Sequence, residues 1–360
     1  MKILIFNNRC IKNPESGGAE VFTHQIAKRW VRTNHKVTLV VSNFKRAHKK
    51  EIIDGVEIVR VGNKYTYYFF VKKYYKKYLQ GKFDIVVDEY TLRPIMAKNF
   101  SKEPVFFLVH ELAREKYFSE LFFPVNYIFY YYLEPKWIRN YSKIPAIAVS
   151  NSTKEDLQNY GFKDVYIVPE GIDFKPVEKI PKKEKNPTIL FVGLLKKTNL
   201  VDHAIKAFKI INLRFPNSRL WIVGKGPELE KLKNISKNLN VTYFGYVSNE
   251  KKLDLMRRAH LLLVPAIREG WCLVVTEANA CGTPAIGYNV PGLRDSIRHK
   301  KTGILTNCNP KALAKASIDL LKDKNKRNLI SKNALEWSKN FSWDNTAEEI
   351  MNVFNNVLKK

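Results

Sequence analysis

Pro265-Ala266-Ile267-Arg268-Glu269-Gly270-Trp271-Cys272-Leu273-Val274-Val275-Thr276-Glu277-Ala278-Asn279-Ala280-Cys281-Gly282-Thr283-Pro284-Ala285 reads as a strand end, a loop and a helix in one run. The short apolar stretch before it suits a buried strand ending at Val264. A loop carries Glu269 and Gly270. The pattern then predicts a helix from near Trp271 to Gly282, a residue suited to a helix C-terminus. Glu269 would stand at the helix entrance, beside N–H groups with no intrahelical partner. Glu277 would lie about two turns in. Eight positions along a helix span roughly 12 Å. Paired-carboxylate glycoside hydrolysis uses about 5–9 Å, so the pair does not read as a hydrolase dyad.

Outward from this element, short β-branched runs alternate with amphipathic stretches. Residues 3–6, 37–41, 56–61, 85–87, 105–109, 146–149 and 165–168 read as buried parallel strands. Helical patterns fall between several of them, at 19–33 and 153–160. Residues 175–187 are rich in Lys and Pro and carry no hydrophobic period, so they read as a linker. A second series follows, with strands at 188–192, 219–223, 242–244, 261–264 and 284–288 and helices between them. A final helix opens at Phe341-Ser342-Trp343. Strand–helix alternation of this kind implies α/β domains with doubly wound parallel sheets. The length of 360 residues fits two of them.

Lys and Arg exceed Asp and Glu by 62 − 34 = 28. Such a surplus suggests an anionic partner: nucleic acid, a phosphate-bearing substrate or an anionic membrane surface. Cys10, Cys272, Cys281 and Cys308 are scattered and form no Cys-x-x-Cys, which argues against a zinc ribbon or a disulfide framework. They read as reduced thiols of a cytosolic protein. The first residues are too short an apolar run for a signal peptide. The aromatic run at 121–133 falls short of the roughly 20 residues that span a bilayer.

Ser16-Gly17-Gly18-Ala19-Glu20 follows the first strand and opens a helix. Paired glycines there let backbone N–H groups approach an anion, although an ordinary flexible loop would read the same way. The nicotinamide-type Gly-x-Gly-x-x-Gly is absent.

Glu269 and Glu277 separated by seven residues, followed by Ala-x-Ala-x-Gly-x-Pro, resemble the signature of the retaining family 4 glycosyltransferases. Gly17-Gly18-Ala19-Glu20, Val168-Pro169-Glu170-Gly171-Ile172-Asp173, Ile222-Val223-Gly224-Lys225-Gly226-Pro227, Phe244-Gly245-Tyr246-Val247 and Pro291-Gly292-Leu293-Arg294-Asp295 match in the family's order over nearly the whole chain.

The resemblance implies a GT-B fold, two Rossmann-like domains facing each other across a cleft. Residues 1–174 would be the acceptor-binding domain, 175–187 the linker, 188–340 the nucleotide-sugar domain, and 341–360 a helix packing back on the first domain. It implies that Glu269 contacts donor-sugar hydroxyls and that Glu277 binds the ribose. The N–H groups of Gly270, Trp271, Cys272, Leu273 and Val274 would face the phosphates. Gly17 and Gly18 would approach them from the other side, and Tyr246 and Val247 would lie against the base. His110, after the strand at 105–109, would point at the transferring sugar. The family's reaction retains anomeric configuration and needs neither metal nor cofactor. The nucleotide sugar, UDP- or GDP-linked, is a substrate.

One departure stands out. After Gly193 the family has an Arg and, a few residues on, a Lys, both holding the diphosphate; here Leu194 and Asn199 occupy those places. Lys196, Lys197 or Lys225 could supply the charge, the donor could be unusual, or the chain could be a catalytically weak or inactive GT-B scaffold that binds a glycan or lipid. Residues 65–78 interleave aromatics with lysines and contain no acid, and residues 117–141 are crowded with rings. Rings favour membrane interfaces and lysines anionic headgroups. This points to a lipid-linked or cell-surface glycan acceptor at the cytoplasmic membrane face, with the protein peripheral on it. The same residues could instead be core rings and a solvated lysine face. No nucleic-acid motif is present.

Overall fold

The structure, a computed structural model, describes residues 1–91 and 93–359. Two compact units divide the chain. The first comprises Met1–Arg114, Tyr127–Gly171 and Ser342–Lys360; the second comprises Glu115–Asn126 and Ile172–Phe341.

The first unit holds β1 (Lys2–Phe6), β2 (Lys36–Asn43), β3 (Lys50–Ile53), β4 (Val56–Asn63), β5 (Ile85–Tyr90), β6 (Val105–Val109), β7 (Ala146–Ala148) and β8 (Val165–Ile167). They form one sheet in the order β3-β4-β2-β1-β5-β6-β7-β8, parallel throughout except for β3 on β4. Ile3 to Phe6 are all buried, as expected of a central strand covered on both faces. The order reverses between β1 and β5, so their C-terminal ends flank a topological switch point.

The edge hairpin β3–β4 does not appear in the sequence reading. Its turn is Asp54-Gly55, both at positive φ (49° and 83°), the chemistry of a two-residue hairpin. The final helix, Trp343–Leu358, packs on the helix Gly18–Arg32. Trp30 Nε1 donates to the Ala347 carbonyl at 2.9 Å, and Trp343 meets Phe22 edge-on. A Cβ on Gly171 would lie 2.3 Å from the Trp343 nitrogen, so the close approach requires glycine.

The second unit holds β9 (Thr188–Val192), β10 (Arg219–Val223), β11 (Val241–Gly245), β12 (Leu261–Val264), β13 (Ala285–Tyr288) and β14 (Gly303–Thr306). Their order, β11-β10-β9-β12-β13-β14, is the 3-2-1-4-5-6 arrangement of dinucleotide-binding sheets, all parallel. The switch point lies between β9 and β12. One continuous core built on Leu190, Phe208, Leu262 and Val275 fills this unit.

Two boundaries differ from the sequence reading. Residues 115–126, expected in the first domain, cluster with the second unit. The Lys/Pro-rich stretch after residue 174 is no free tether. Val177 N donates to Ala280 O at 2.9 Å and Glu184 N to Arg258 O at 3.0 Å, so main-chain bonds that no hydrophobic pattern reveals tie it to the second unit.

Candidate active site

In the second unit three loops meet at the C-terminal ends of β9, β10 and β11. Gly193 N donates to Val223 O at 3.0 Å, Leu195 N to Lys225 O at 3.0 Å, and Gly224 N to Gly245 O at 2.8 Å. Main chain lies directly on main chain. A Cβ on Gly224 would sit 1.9 Å from the Gly193 carbonyl oxygen, and one on Gly226 2.3 Å from that of Leu195. Only glycine permits this approach. Lys225 and Tyr246 project from the junction. Tyr246 is 81% exposed, and the Lys225 ammonium lies 5.4 Å from its ring centroid. Val247 is half-buried against the core.

Leu194 is exposed, and Asn199 donates from Nδ2 to the Leu194 carbonyl at 2.9 Å. The two places where the resemblance expects cations therefore carry an exposed apolar side chain and a neutral amide that ties one of its N–H groups to its own loop. Of the proposed substitutes, Lys196 lies 3.9 Å from Glu120, while Lys197 and Lys225 are exposed.

The loop after β12 departs from the expected helix. The helix spans Leu273–Ala280, with Cys272 at its N-cap in left-handed conformation (φ 79°). Glu269, Gly270 and Trp271 are thus loop residues, Glu277 is one turn in rather than two, and the 12 Å helical spacing does not apply. The cause is local. Buried Trp271 donates from Nε1 to Thr276 Oγ1 at 2.9 Å and stacks edge-on against Phe341, which draws the loop inward before the helix can start.

Glu269 is set by its backbone. Its N–H donates to Pro291 O at 3.1 Å, and a Cβ on Gly292 would fall 2.1 Å from the Glu269 carbonyl oxygen. Its neighbour Arg268 is buried and bonds Glu115 at 2.9 Å.

Glu277 is the most informative side chain. Its Oε1 accepts from Lys252 Nζ at 2.7 Å, with side-chain exposures of 17% and 21%. Its Oε2 is buried and has no hydrogen-bond partner among the described residues. A buried carboxylate oxygen without a donor is costly, and a ligand hydroxyl would satisfy it. The start of the same helix exposes N–H groups suited to an anion. Lys252 escaped the sequence reading because it sits in the lysine-rich run Lys251-Lys252. Only its place beside buried Leu253 and Met256 sets it apart.

The first unit's site residues are bound more tightly. Gly17 N donates to Glu20 Oε2 at 2.6 Å, and buried Glu20 accepts from Arg9 at 2.8 Å. The Gly17 N–H is therefore already used, while Gly18 opens the helix Gly18–Arg32. His110 follows β6 at 6% exposure. Its Nε2 lies 2.9 Å from Glu89 Oε1 and its Nδ1 3.6 Å from Glu170 Oε1. Burial alone would lower its pKa, but Glu170 and Glu89 outweigh it and push the imidazole up to about 10. The ring thus lies between two carboxylates that favour its protonated form, with Nε2 on Glu89 and buried Nδ1 without a hydrogen-bond partner among the described residues. Glu89 carries no sequence signal, and Glu170 stands in the run at 168–173 with no role assigned, because each becomes relevant only when β5 and the loop after β8 converge on β6.

The exposed rings divide as their helix faces dictate. In the helix Tyr67–Tyr74 and its π-helical continuation Tyr75–Leu79, Tyr67, Val71 and Tyr75 are core. Phe69 (77%) and Phe70 project among Lys72, Lys73, Lys76 and Lys77. Phe122, Phe123, Tyr131 and Tyr132 are likewise exposed. Among the described residues no helix is long and apolar enough to cross a membrane.

Comparison with known proteins is consistent with this arrangement. The Glycosyltransferase Family 4 model matches residues 16–175, and the model for Glycosyl transferases group 1 matches residues 174–337. An uncharacterised glycosyltransferase of Methanocaldococcus jannaschii is 28% identical over 61% of this chain and 62% of its own length. The match thus spans less than two thirds of that relative. Among solved structures, sucrose-phosphate synthase from Thermosynechococcus elongatus superposes with a TM-score of 0.82 at 17% identity, covering 99% of both chains. Anabaena HepE, solved in complex with UDP-glucose, gives 0.75 at 16% identity over 99% of this chain and 100% of its own. The two family models cover nearly the whole chain in order, the solved structures superpose over almost all of it, and the chain belongs to the family 4-like glycosyltransferases of GT-B fold.

Proposed function

We propose that the protein is a retaining, metal-independent glycosyltransferase that moves a sugar from a nucleotide-sugar donor to a lipid-linked or cell-surface glycan. The observation that carries this is Glu277, half paired by Lys252 with Oε2 buried and bare, one turn into a helix that opens after a parallel strand. Oε2 accepts a ribose hydroxyl. The N–H groups of Leu273 and Val274 face the diphosphate, and the helix start stabilises charge gathering on it as it leaves. Lys225, Lys196 and Lys197 supply the cations that Leu194 and Asn199 do not. Glu269, fixed through Pro291 and Gly292, holds sugar hydroxyls. The bond from the anomeric carbon to the phosphate oxygen breaks. The acceptor oxygen bonds the same carbon on the same face, and its proton passes to the leaving phosphate. The complex of HepE with UDP-glucose favours a UDP-linked donor.

The acceptor reading rests on Phe69 and Phe70 among four lysines. Each lysine adds about 1 kcal/mol of attraction to an anionic leaflet. The protein should cosediment with anionic vesicles, and replacing Lys72, Lys73, Lys76 and Lys77 by Ser should abolish this. Equal binding to neutral vesicles would remove the membrane reading.

The function is tested by incubating the full chain with labelled nucleotide sugars and following release of the nucleoside diphosphate and the anomeric configuration of the product. Release from one donor, lost in Glu277→Ala, is expected. A second reading, a scaffold without turnover, is favoured by the uncharged Leu194 and Asn199, the latter tied to the Leu194 carbonyl. Nucleotide binding with no release from any donor would establish it.

A further inference from the structure

At the opposite end of the second sheet, where its strands begin, lies a pocket of about 440 Å³. Lys183 and Glu184 on the approach to β9, His260 just ahead of β12, and Lys324, Arg327 and Lys332 of the helix Lys324–Ser338 line it. Glu184 is the one acid among these six, and its carboxylate is engaged by Arg258 at 2.8 and 2.5 Å. The remaining groups are donors with capacity to spare. Lys183 Nζ donates to Arg257 O at 2.9 Å and Thr283 Oγ1 at 2.7 Å, which leaves one of its three N–H bonds. Arg327 spends Nη1 on the carbonyls of Leu320 and Leu321, at 2.7 and 3.0 Å. Among the described residues no other hydrogen bond of its guanidinium is seen. His260 Nδ1 accepts from Thr188 N–H at 3.1 Å, which puts the ring proton on Nε2 as a further donor.

These groups oppose one another. Burial and then Arg327 pull the Lys183 amine down to about 7. Burial, then Arg327 and Lys183, pull His260 down to about 4. Half-buried N–H donors beside the Arg327 charge, with the one acid among them held by Arg258, are suited to an anion, which would also favour the charged form of Lys183, and charge-assisted bonds to one are strong.

We propose that this pocket binds a small phosphate-bearing anion through Lys183, His260 and Arg327, with Lys324 and Lys332 at its rim. None of these residues belongs to the donor site, and the pocket has room for an ester beyond the phosphate itself.

The test is competitive acetylation of lysines in the full chain at pH 7.5, read by peptide mass spectrometry. Inorganic phosphate, glycerol 3-phosphate and chloride are compared at equal ionic strength. Either phosphate should slow labelling of Lys183 at least threefold relative to chloride. Arg327→Gln or Lys332→Gln should remove that protection; the second variant alters only an exposed rim residue and so keeps the test independent of folding. Protection by glycerol 3-phosphate at a tenfold lower concentration assigns the source to a phosphate ester, and equal protection assigns it to the free ion. Unchanged labelling in the wild type, or protection that persists in both variants, would overturn the proposal.

Discussion

At the end of β6 the first unit buries His110 between Glu89 and Glu170. One turn into the helix after β12, the second unit leaves Glu277 with one oxygen paired and the other bare. Both positions lie beyond the C-terminal ends of parallel strands, close to a switch point. In each, one atom is paired and one is not: His110 Nε2 meets Glu89 while buried Nδ1 stays 3.6 Å from Glu170, and Glu277 Oε1 meets Lys252 while buried Oε2 has no hydrogen-bond partner among the described residues. The difference lies in the charges: His110 sits between two carboxylates, whereas Glu277 faces the one cation of Lys252. Two acids about one buried ring should weigh more on stability, and a carboxylate with a single cation and a bare oxygen more on the proposed nucleotide binding.

The largest break in that comparison is His110→Ala. It leaves Glu89 and Glu170 buried without their cation, and urea unfolding should show a loss of about 3–5 kcal/mol. The pH dependence follows from the same cluster. The folded imidazole holds its proton up to about 10 against an ordinary value of 6.5. Its contribution is therefore complete below about 6.5 and fades as pH rises towards 10. Unfolding at pH 6, 8 and 9.5 should show falling stability, and the slope should shrink in the variant.

Gly292→Ala comes next. It places a Cβ 2.1 Å from the Glu269 carbonyl oxygen at a φ of 80°. Thermal unfolding should show a cost of about 2–3 kcal/mol, with loss of turnover because Glu269 shifts. Glu277→Ala should leave stability within about 1 kcal/mol, since the pair with Lys252 is partly exposed. Nucleotide affinity should fall about tenfold to a hundredfold in titration calorimetry. Lys252→Met is the smallest. The carboxylate stays but loses its positioning partner, and affinity should fall about threefold to tenfold. A Glu277→Ala chain as destabilised as His110→Ala would erase the contrast between the units.

Much of this was legible from the residues. The buried runs at β1, β6, β9 and β12 announce themselves as short apolar stretches, and the Glu269–Glu277 element by its spacing. What escaped depends on contacts between distant segments. Trp271 reads as a helix start until its indole is seen on Thr276 and Phe341, which delays the helix to Leu273. Lys252 is one lysine among many until it meets Glu277. His110 reads only as a residue after β6 that points at a sugar until Glu89 of β5 and Glu170 of the loop after β8, 21 residues before it and 60 after, come to either side of its ring. The Asp54-Gly55 hairpin turn was a local signal in plain view, obscured by the polar composition of the edge strand it serves.

The central claim is that Glu277 and the helix behind it form a nucleotide site. The most direct measurement is titration calorimetry of UDP, GDP, ADP, CMP and dTDP into the wild-type chain and into Glu277→Ala. The account predicts binding of one nucleotide, with UDP expected, weakened at least tenfold by the substitution while the fold persists. Equal affinity in the two proteins, or no binding of any of the five to the wild type, would contradict it.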